Sequence, residues 1–259
     1  VAAMVVETAK RCDIPTVIVG HITKQGQIAG PKLLEHLVDV VLLFSGEQNS
    51  PNRLLRAEKN RYGSTEELGI FEMSERGLAA VSDPSRLYWN GTDLGSSGVS
   101  IAMALEGSRA LAAEIQALAC ATPFQYPKRT ARGIDLNRLQ LLLAVLERRC
   151  GLFSRSSDIY LNVAGGLTLK DTAADLGICA SLASALTDIE LPSDVCFIGE
   201  VGLAGEVRPT SRTPMRVKEA ARLGFKRAVI SRRTPKETYP IEVLKISALR
   251  EIVDLFLRK

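Results

Sequence analysis

Residues 158–186 read DIYLNVAGGLTLKDTAADLGICASLASAL, and the order of elements in this stretch decides the fold. Asp158–Val163 alternates apolar and polar side chains, which predicts a strand with one buried face. Ala173–Leu186 has small residues at 173, 174, 180 and 183–185, which predicts a helix that packs closely on a sheet. An apolar strand, Val195–Ile198, and a glycine-rich turn, Gly199–Gly205, follow. Strand, helix and strand in succession indicate an α/β domain.

The same pattern continues on both sides of this stretch. Leu139, Leu142 and Leu146 recur at three- and four-residue steps, which predicts an amphipathic helix. The further predicted elements of this second part are strands Val99–Leu105 and Ala110–Ala119, helix Leu136–Arg149, helix Pro214–Leu223, strand Ala228–Ser231 and helix Ala248–Arg258.

Residues 1–90 form a separate α/β pattern. Their predicted elements are helix Val1–Arg11, strand Thr16–Gly20, helix Pro31–Leu37, a buried apolar strand at Val38–Phe44, and strands Leu54–Lys59 and Leu68–Met73. The stretch YWNGTDLGSSGVS at 88–100 is rich in Gly and Ser, as linkers are. We therefore predict two domains, residues 1–94 and 95–259. Because the chain opens on Val1 inside a predicted helix, we expect it to be a piece of a longer protein.

Composition narrows the class of protein. The formal charge of +4 is compatible with a nucleic-acid partner without requiring one. The five cysteines form no C-x-x-C pair and the chain has two histidines, so we expect no zinc site in it. Cys179 and Cys196 lie in apolar runs, as buried thiols do. With no signal peptide and no long apolar run, we expect a protein of the bacterial cytoplasm, or of an organelle if the source is eukaryotic.

From Asp158 onward, and most clearly at GEVGLAGEVRP (199–209), the chain resembles the proteolytic domain of Lon, a ribosomal S5 domain 2-like α/β fold. In that family a serine nucleophile and a lysine base hydrolyse peptides. The resemblance aligns the serine with Ala173 or Ala174 and the lysine with Met215 or Arg216. Alanine cannot form an acyl-enzyme, and arginine stays protonated. We therefore expect no proteolysis. Substitution of the pair by Thr172 and Lys218 is the less favoured alternative.

VIVGHITKQGQIAGPKLLEHLVDVVLLF, at residues 17–44, resembles the core of RecA-type ATPases of the RadA (Sms) family. The resemblance implies that His21 and Thr23 sense the nucleotide at the end of a strand. It also implies that the following loop faces DNA, with Lys24 and Lys32 as cations for phosphate. For single residues here, an ordinary strand-to-helix loop with a surface lysine remains the alternative.

EKNRYGSTEELGIFEM, at residues 58–73, resembles the K-N-R-F-G motif of the same family, with Tyr62 in place of phenylalanine. The resemblance implies that Lys59 and Arg61 act in trans as catalytic cations on a neighbouring subunit's ATP. Asn60, Tyr62 and Gly63 would complete the turn. Taken alone, the motif could also be a basic β-turn of a common kind.

The chain contains no G-x-x-x-x-G-K-[ST] phosphate loop and no strand ending in a magnesium-binding aspartate. The family carries both upstream of the matched region, together with a four-cysteine zinc module. ATP and Mg²⁺ are thus implied for a full-length family member, and zinc for that module. We expect this polypeptide by itself neither to bind nor to hydrolyse ATP.

Basic residues crowd parts of the second domain, and in the RadA family the Lon-like domain is a hexameric platform that also binds DNA. The candidate DNA-contacting residues here are Lys128, Arg129, Arg132, Arg216, Arg222 and Arg227. Few aromatic residues stand near them in sequence, so we expect contact with the DNA backbone rather than stacking on bases.

The family resemblance implies a DNA-dependent ATPase that drives branch migration in recombinational repair. The implied partners are single-stranded or branched DNA, further copies of the chain in a homo-hexamer and a RecA-type recombinase, and no membrane. Two alternatives remain. One is a Lon-type ATP-dependent serine peptidase, and the other is a non-catalytic oligomerisation scaffold.

Overall fold

The structure, a computed structural model, describes residues 2–20, 33–46, 52–65, 67–75, 77–81, 95–122 and 126–258. It divides the chain into two compact units, Val1–Ala80 (unit 1) and Val81–Lys259 (unit 2). The predicted boundary lies near residue 95, whereas the two units meet between residues 80 and 81. The segment between these two boundaries lies almost entirely outside the described residues. The 1–94 and 95–259 division stays a prediction.

Unit 1 combines two helices with an antiparallel sheet. The helices are α1 (Ala2–Cys12) and α2 (Leu33–Leu37), and the strands are β1 (Val40–Ser45), β2 (Asn52–Asn60), β3 (Leu68–Ser74) and β4 (Gly77–Ala80). The strands pair in chain order, each antiparallel to the next. A bulge interrupts the β1–β2 register between Val41 and Leu42, so Val41 pairs with Lys59. The helix at the start and the strands around the Lys59–Gly63 turn are therefore confirmed.

Two predictions for unit 1 are wrong. Thr16–Gly20 is exposed and is not a strand, because no strand of the described residues pairs with it and a lone extended segment cannot form ladder hydrogen bonds. The strand expected at Val38–Phe44 exists as β1 but is not buried. It lies at the sheet edge, and Leu42 is 58% exposed.

Unit 2 is built on a mixed seven-stranded sheet in the order β13-β12-β9-β5-β6-β8-β7, with a small hairpin, β10–β11, beside it. The strands are β5 (Val99–Glu106), β6 (Arg109–Ala121), β7 (Arg129–Arg132), β8 (Ser157–Val163), β9 (Val195–Ile198), β10 (Glu200–Val201), β11 (Val207–Arg208), β12 (Arg227–Ser231) and β13 (Glu242–Ile246). The helices are α3 (Leu136–Val145), α4 (Asp175–Thr187), α5 (Thr213–Arg222) and α6 (Arg250–Phe256). A π-helical turn, Leu146–Cys150, extends α3. The α/β class is confirmed.

The two faces of this sheet carry two separate cores. On one face, α3, α4 and α6 bury an extensive apolar cluster against the strands, with Leu139, Leu176 and Phe197 fully enclosed. On the other face, α5 packs through Val217 and Ala220 in a smaller cluster. Within the described residues, the helices thus cover one face of the sheet along its length and the other face only in part.

Small residues bring α4 against the sheet, as predicted. Ala173, Ala174, Ala180 and Ala183 are buried, and a Cβ added at Gly177 would lie only 2.8 Å from the Cβ of Ala102. The fit is specific, because one extra methyl group here would force helix and strand apart. Within the described residues, no helix has the length and apolar character needed to cross a bilayer.

Candidate functional sites: a buried arginine–aspartate pair and a basic turn

The N-terminal end of α4 meets α5 at a buried ion pair. Arg216 on α5 is fully buried, and its Nη1 lies 2.5 Å from Oδ2 of Asp171. The same nitrogen donates to the carbonyl of Met103 at 2.8 Å, and Nε donates to the carbonyl of Ser211 at 3.1 Å. The guanidinium therefore ties α5 to strand β5 and to the segment that precedes α4.

Asp171 is held as firmly as its partner. Its Oδ2 also accepts a hydrogen bond from the amide of Leu105 at 2.6 Å, and its Oδ1 accepts one from the amide of Ala173 at 3.1 Å. The second contact is an N-terminal cap on the short 3₁₀ turn Thr172–Ala174 that leads into α4. Three donors within the protein thus hold this carboxylate in place.

The positions aligned with a Lon-type dyad coincide with this pair. Ala173 and Ala174 are buried, and the backbone amide of Ala173 donates the cap hydrogen bond to Asp171. Of the two base candidates, Met215 is 42% exposed whereas Arg216 points into the site. The position of the lysine is thus occupied by a permanently charged group that already has an anionic partner. A methyl group beside a guanidinium that is paired with a carboxylate provides neither nucleophile nor base.

Thr172 and Lys218, the alternative dyad, do not converge. The hydroxyl of Thr172 donates to Oε2 of Glu200 at 2.9 Å. Lys218 is exposed, and a separation of two helical residues turns its side chain about 200° from that of Arg216. Lys218 therefore faces away from the segment that carries Thr172.

Arg216 was predicted to contact DNA, and that prediction is wrong. Its side chain is 1% exposed, and its donors point to Asp171, Met103 and Ser211 within the protein. Removing it from this site would leave the carboxylate of Asp171 without its counter-ion in a poorly solvated position. Arg216 is an internal residue of the unit 2 core.

A second ion pair fixes the first turn of α4. The Nε of Arg138 donates to Oδ1 of Asp175 at 2.8 Å, and Nη2 pairs with Oδ2 of the same carboxylate. Nη2 also donates to the carbonyl of Val201 at 3.2 Å, and the amide of Val201 donates back to Asp175. The Asp175 carboxylate raises the pKa of Arg138. This network joins α3, α4 and β10 around the aligned peptidase centre.

The other predicted DNA-contacting residues occupy different environments. Arg129 is an anchor, because its guanidinium donates to the carbonyls of Ser157 and Ser154 at 2.5 and 2.7 Å, and desolvation lowers its pKa. Arg222 binds Glu219 and Arg227 binds Asp194, each through two hydrogen bonds.

Lys128 and Arg132 have exposed side chains at strand β7. Strand β7 is one edge of the seven-stranded sheet, whereas β12, which carries Arg227, lies five strand spacings away. At the usual spacing between strands this separation is about 24 Å. The predicted basic residues therefore do not form one patch.

In unit 1 the predicted catalytic lysine lies at the end of β2. The Nζ of Lys59 donates to the carbonyls of Glu35 and Val38, both at 2.8 Å, and to that of His36 at 3.4 Å. These are carbonyls at the C-terminal end of α2, where a cation offsets the negative end of the helix dipole. Lys59 is half-buried and connects β2 with α2.

The rest of this motif forms a tight, exposed turn. Asn60 closes it, because its Oδ1 accepts from the amide of Tyr62 at 3.3 Å and its Nδ2 donates to the carbonyl of Ser64 at 3.2 Å. A Cβ at Gly63 would lie 2.8 Å from Nδ2 of Asn60, so a larger residue there would displace the Asn60 side chain from its place in the turn. Tyr62 is 81% exposed.

Arg61 is exposed as well, and its Nη1 lies 3.2 Å from Oδ1 of Asp39. Asp39 also pairs with Nζ of Lys10 at 3.1 Å, and these cations, Lys10 most strongly, lower the pKa of Asp39. The guanidinium of Arg61 is thus oriented by one carboxylate on a surface that remains open to solvent.

Four predicted residues, His21, Thr23, Lys24 and Lys32, lie outside the described residues. Of the residues that the structure does describe, no three His, Cys, Asp or Glu side chains come together in a group that could hold a metal ion.

Sequence reasoning missed three carboxylates that organise these sites, Asp39, Asp171 and Asp175. Their partners lie 22 to 45 residues away, so sequence spacing could not reveal the pairs. One signal was available for Arg216. It stands beside Val217 and four positions before Ala220, which places it on the apolar side of α5.

Comparison with known proteins now assigns the class of unit 2. Residues 146–251 match the family described as Lon protease (S16) C-terminal proteolytic domain. The match includes Ala173, Ala174 and Arg216, so the buried ion pair lies inside a peptidase-type domain. The predicted Lon-like part of the fold is confirmed.

Three similar proteins share the name DNA repair protein RadA. The chain is 54% identical to the one from Bacillus subtilis (strain 168), over 88% of this chain and 50% of that protein. It is 47% identical to the protein of Halalkalibacterium halodurans, over 96% of this chain and 55% of that protein. It is 43% identical to the protein of Streptococcus pneumoniae, over 98% of this chain and 61% of that protein. The chain belongs to the RadA family, as predicted, and spans about half the length of these relatives.

Proposed function

We propose that this chain is part of a DNA-dependent ATPase that drives branch migration in recombinational DNA repair, and that unit 2 is its non-proteolytic platform. One observation carries the proposal: the chain is 43–54% identical, over most of its length, to proteins named DNA repair protein RadA. The buried pair of Arg216 and Asp171 supports the second part, since it stands where a Lon-type peptidase needs its base.

ATP and Mg²⁺ enter this proposal through residues beyond these 259, because the sequence contains no phosphate loop of its own. What the chain contributes is the turn at residues 59–63. The guanidinium of Arg61 is exposed and is oriented by Asp39. It could therefore act as the cation that reaches a neighbouring subunit's nucleotide. Lys59 would have to exchange its three carbonyl partners for phosphate oxygens to do the same.

A trans-acting cation requires a neighbour, so the proposal includes assembly of identical copies into a ring, with a hexamer as the expected form. Exposed cations of unit 2, Lys128, Arg132 and Arg222 among them, would hold the DNA backbone. A RecA-type recombinase is the proposed protein partner, and no membrane takes part.

The match to a proteolytic domain favours a second candidate, a Lon-type peptidase. Buried methyl groups at Ala173 and Ala174 speak against it, as does the paired guanidinium of Arg216. A third candidate, a scaffold that assembles copies but never contacts DNA, differs from the proposal in a single measurable property, which is affinity for oligonucleotides.

A chimera tests the proposal. In Bacillus subtilis RadA, the region aligned with this chain is exchanged for the chain itself, and the hybrid is expressed in a strain that lacks the native protein. We expect the hybrid to restore survival after DNA damage. The Arg61→Ala hybrid should fail at equal expression, and a hybrid with Arg148→Gln, an exposed arginine of unit 2, should restore survival fully.

Two results would contradict the proposal. If the folded hybrid restores no survival, the assignment to DNA repair falls. If the Arg61→Ala hybrid restores it fully, the trans-acting role of the turn falls. A casein-type assay on the unaltered chain decides the peptidase alternative, and we expect no hydrolysis there.

A further inference from the structure

At the β7 end of the unit 2 sheet, one face carries exposed side chains in the part of the chain that the structure describes. Helix α5 covers this face over β9, β5 and the first half of β6, and the buried cluster beneath it has no member from β7 or β8 among the described residues. Beyond that cluster the same face of β6 continues through Gln116, Leu118 and Cys120, all exposed. Strands β6, β8 and β7 thus present a continuous open surface.

The pairing register of β6, β8 and β7 determines which side chains lie next to one another on this surface. Leu118 on β6 pairs with Tyr160 on β8, and Tyr160 pairs with Thr130 on β7. Side chains of directly paired residues lie on the same face of a sheet. One row across the surface is therefore leucine, tyrosine and threonine, of which Leu118 is 58% and Tyr160 39% exposed.

The next row along the strands is polar. Gln116 pairs with Asn162, and Asn162 pairs with Arg132. The Nδ2 of Asn162 donates to Oε1 of Gln116 at 3.3 Å, so the two amides form a ladder across the strands. Arg132 stands exposed at the outer edge of this row. The open face therefore combines one aromatic ring, one leucine, one cysteine, a cation and three polar groups, and the half-buried carboxylate of Glu114, which accepts a hydrogen bond from Gln116 at 2.7 Å, lies next to it on β6.

This composition decides between two kinds of occupant. The core of a stable protein interface is depleted in charge and closely packed, whereas here a single leucine and a single ring lie among amides, a hydroxyl and an arginine. A single strand of nucleic acid needs a ring on which a base can stack and a cation beside it for the phosphate. Tyr160 and Arg132, on adjacent strands and neighbouring rows, provide that combination.

We propose that the open face of β6, β8 and β7 binds a single strand of nucleic acid, with a base stacked on Tyr160 and a backbone phosphate at Arg132. The inference rests on the proposed role in DNA repair and gives that role a site. It also revises the sequence-based expectation that the protein contacts the DNA backbone and does not stack on bases. Tyr160 is 28 residues from Arg132 in sequence, and only the pairing of β7 with β8 brings them together.

Fluorescence anisotropy of the chain with a labelled oligothymidylate tests the proposal. Tyr160→Ala should weaken binding about 5- to 150-fold, the loss of one stacked base, whereas Tyr160→Phe should retain most of the affinity. Arg132→Gln should weaken binding and reduce the slope of log K against log salt by about 0.7. The matched controls are Phe153→Ala, an exposed ring outside the sheet, and Arg148→Gln, an exposed arginine on the π-helical turn.

Each outcome has one meaning. If the unaltered chain binds and Tyr160→Ala binds equally well, this site is wrong while the DNA role stands. If the unaltered chain binds no oligonucleotide, the DNA role fails and the site with it. Light scattering without nucleic acid measures whether copies of the chain assemble. If Tyr160→Ala or Leu118→Lys changes the molar mass measured there, the face joins copies of the chain and the proposal is overturned.

Discussion

Nη1 of Arg216 lies 2.5 Å from Oδ2 of Asp171, in the part of unit 2 where a Lon-type domain carries out its chemistry. Both groups have further partners: the carbonyls of Met103 and Ser211 for the arginine, and the amides of Leu105 and Ala173 for the aspartate. The centre of a hydrolytic fold has thus become a junction between β5, α5 and the entry to α4. A charge pair with these bonds stabilises only as long as both members are present.

Removal of one partner should therefore cost more than removal of both. We expect Arg216→Met to lower the free energy of unfolding by about 3 to 5 kcal/mol, because Asp171 is left as a poorly solvated charge. The double variant Arg216→Met with Asp171→Leu should recover a large part of that loss. Urea unfolding followed by circular dichroism measures both. Additive losses in the double-mutant cycle would show that the two residues are not coupled.

Restoring a serine should not restore proteolysis. In Ala173→Ser and Ala174→Ser the position aligned with the catalytic lysine holds Arg216, which stays protonated. Addition of Arg216→Lys should not help, because the new ammonium would meet the carboxylate of Asp171 and stay charged. A fluorescent casein assay and labelling with a fluorophosphonate probe check each variant. Labelling of the introduced serine at a rate above that of free serine would refute this explanation.

Sequence alone predicted most of unit 2, because long periodic segments determine their own structure. The hairpin of β5 and β6, strands β8, β9 and β12, and helix α5 all lie where alternation or helical spacing placed them. Strands β7 and β13 were missed, as were the two-residue strands β10 and β11. Arg129–Arg132 is short and half polar, and Glu242–Ile246 is an edge strand, so neither has the apolar alternation that marks a central strand.

The sites were less predictable, since they depend on pairings between distant parts of the chain. The catalytic role of Lys59 stays a prediction, and its contacts with the end of α2 depend on how a strand meets a helix 21 to 24 residues earlier. Arg216 was read as a surface cation because its partner is 45 residues away. A charged residue on the apolar side of a helix, as Arg216 is on α5, needs a buried partner of opposite charge.

The cysteines should divide into two kinetic classes. Cys12 and Cys120 are exposed, while Cys150, Cys179 and Cys196 are buried. Burial raises the pKa of Cys150 to about 11 and that of Cys196 to about 12, and it raises the pKa of Cys179 as well. At pH 8 we expect Ellman's reagent to modify two thiols rapidly and the other three only after unfolding in urea. Rapid modification of a third thiol would indicate that the unit 2 core opens readily.

Close contact between α4 and β5 makes a specific prediction at Gly177. The Cβ introduced by Gly177→Ala would lie 2.8 Å from that of Ala102, so we expect a loss of about 1 to 3 kcal/mol despite the better helix propensity of alanine. Gly177→Ala combined with Ala102→Gly should regain stability, because the colliding atom is gone. Gly95→Ala, with open space around its Cβ, is the control and should stay within about 0.5 kcal/mol of the parent. Absence of rescue in the double variant would contradict the contact.

Acid sensitivity should depend on the pair of Asp194 and Arg227. Two hydrogen bonds from Arg227, at 2.5 and 3.1 Å, lower the pKa of Asp194 below its ordinary value of 3.8. A carboxyl group whose folded pKa is depressed adds stability above its unfolded pKa, and that contribution disappears as the pH falls through the folded value. Asp194→Asn should therefore lower the free energy of unfolding at pH 7 and have little effect near pH 2. The free energy of unfolding is measured in urea at both pH values. Glu190→Gln, which removes a carboxylate in the preceding loop, is the control that separates the effect of this pair from a general effect of acid. An equal loss for Asp194→Asn at both pH values would mean that its carboxylate charge adds no stability there.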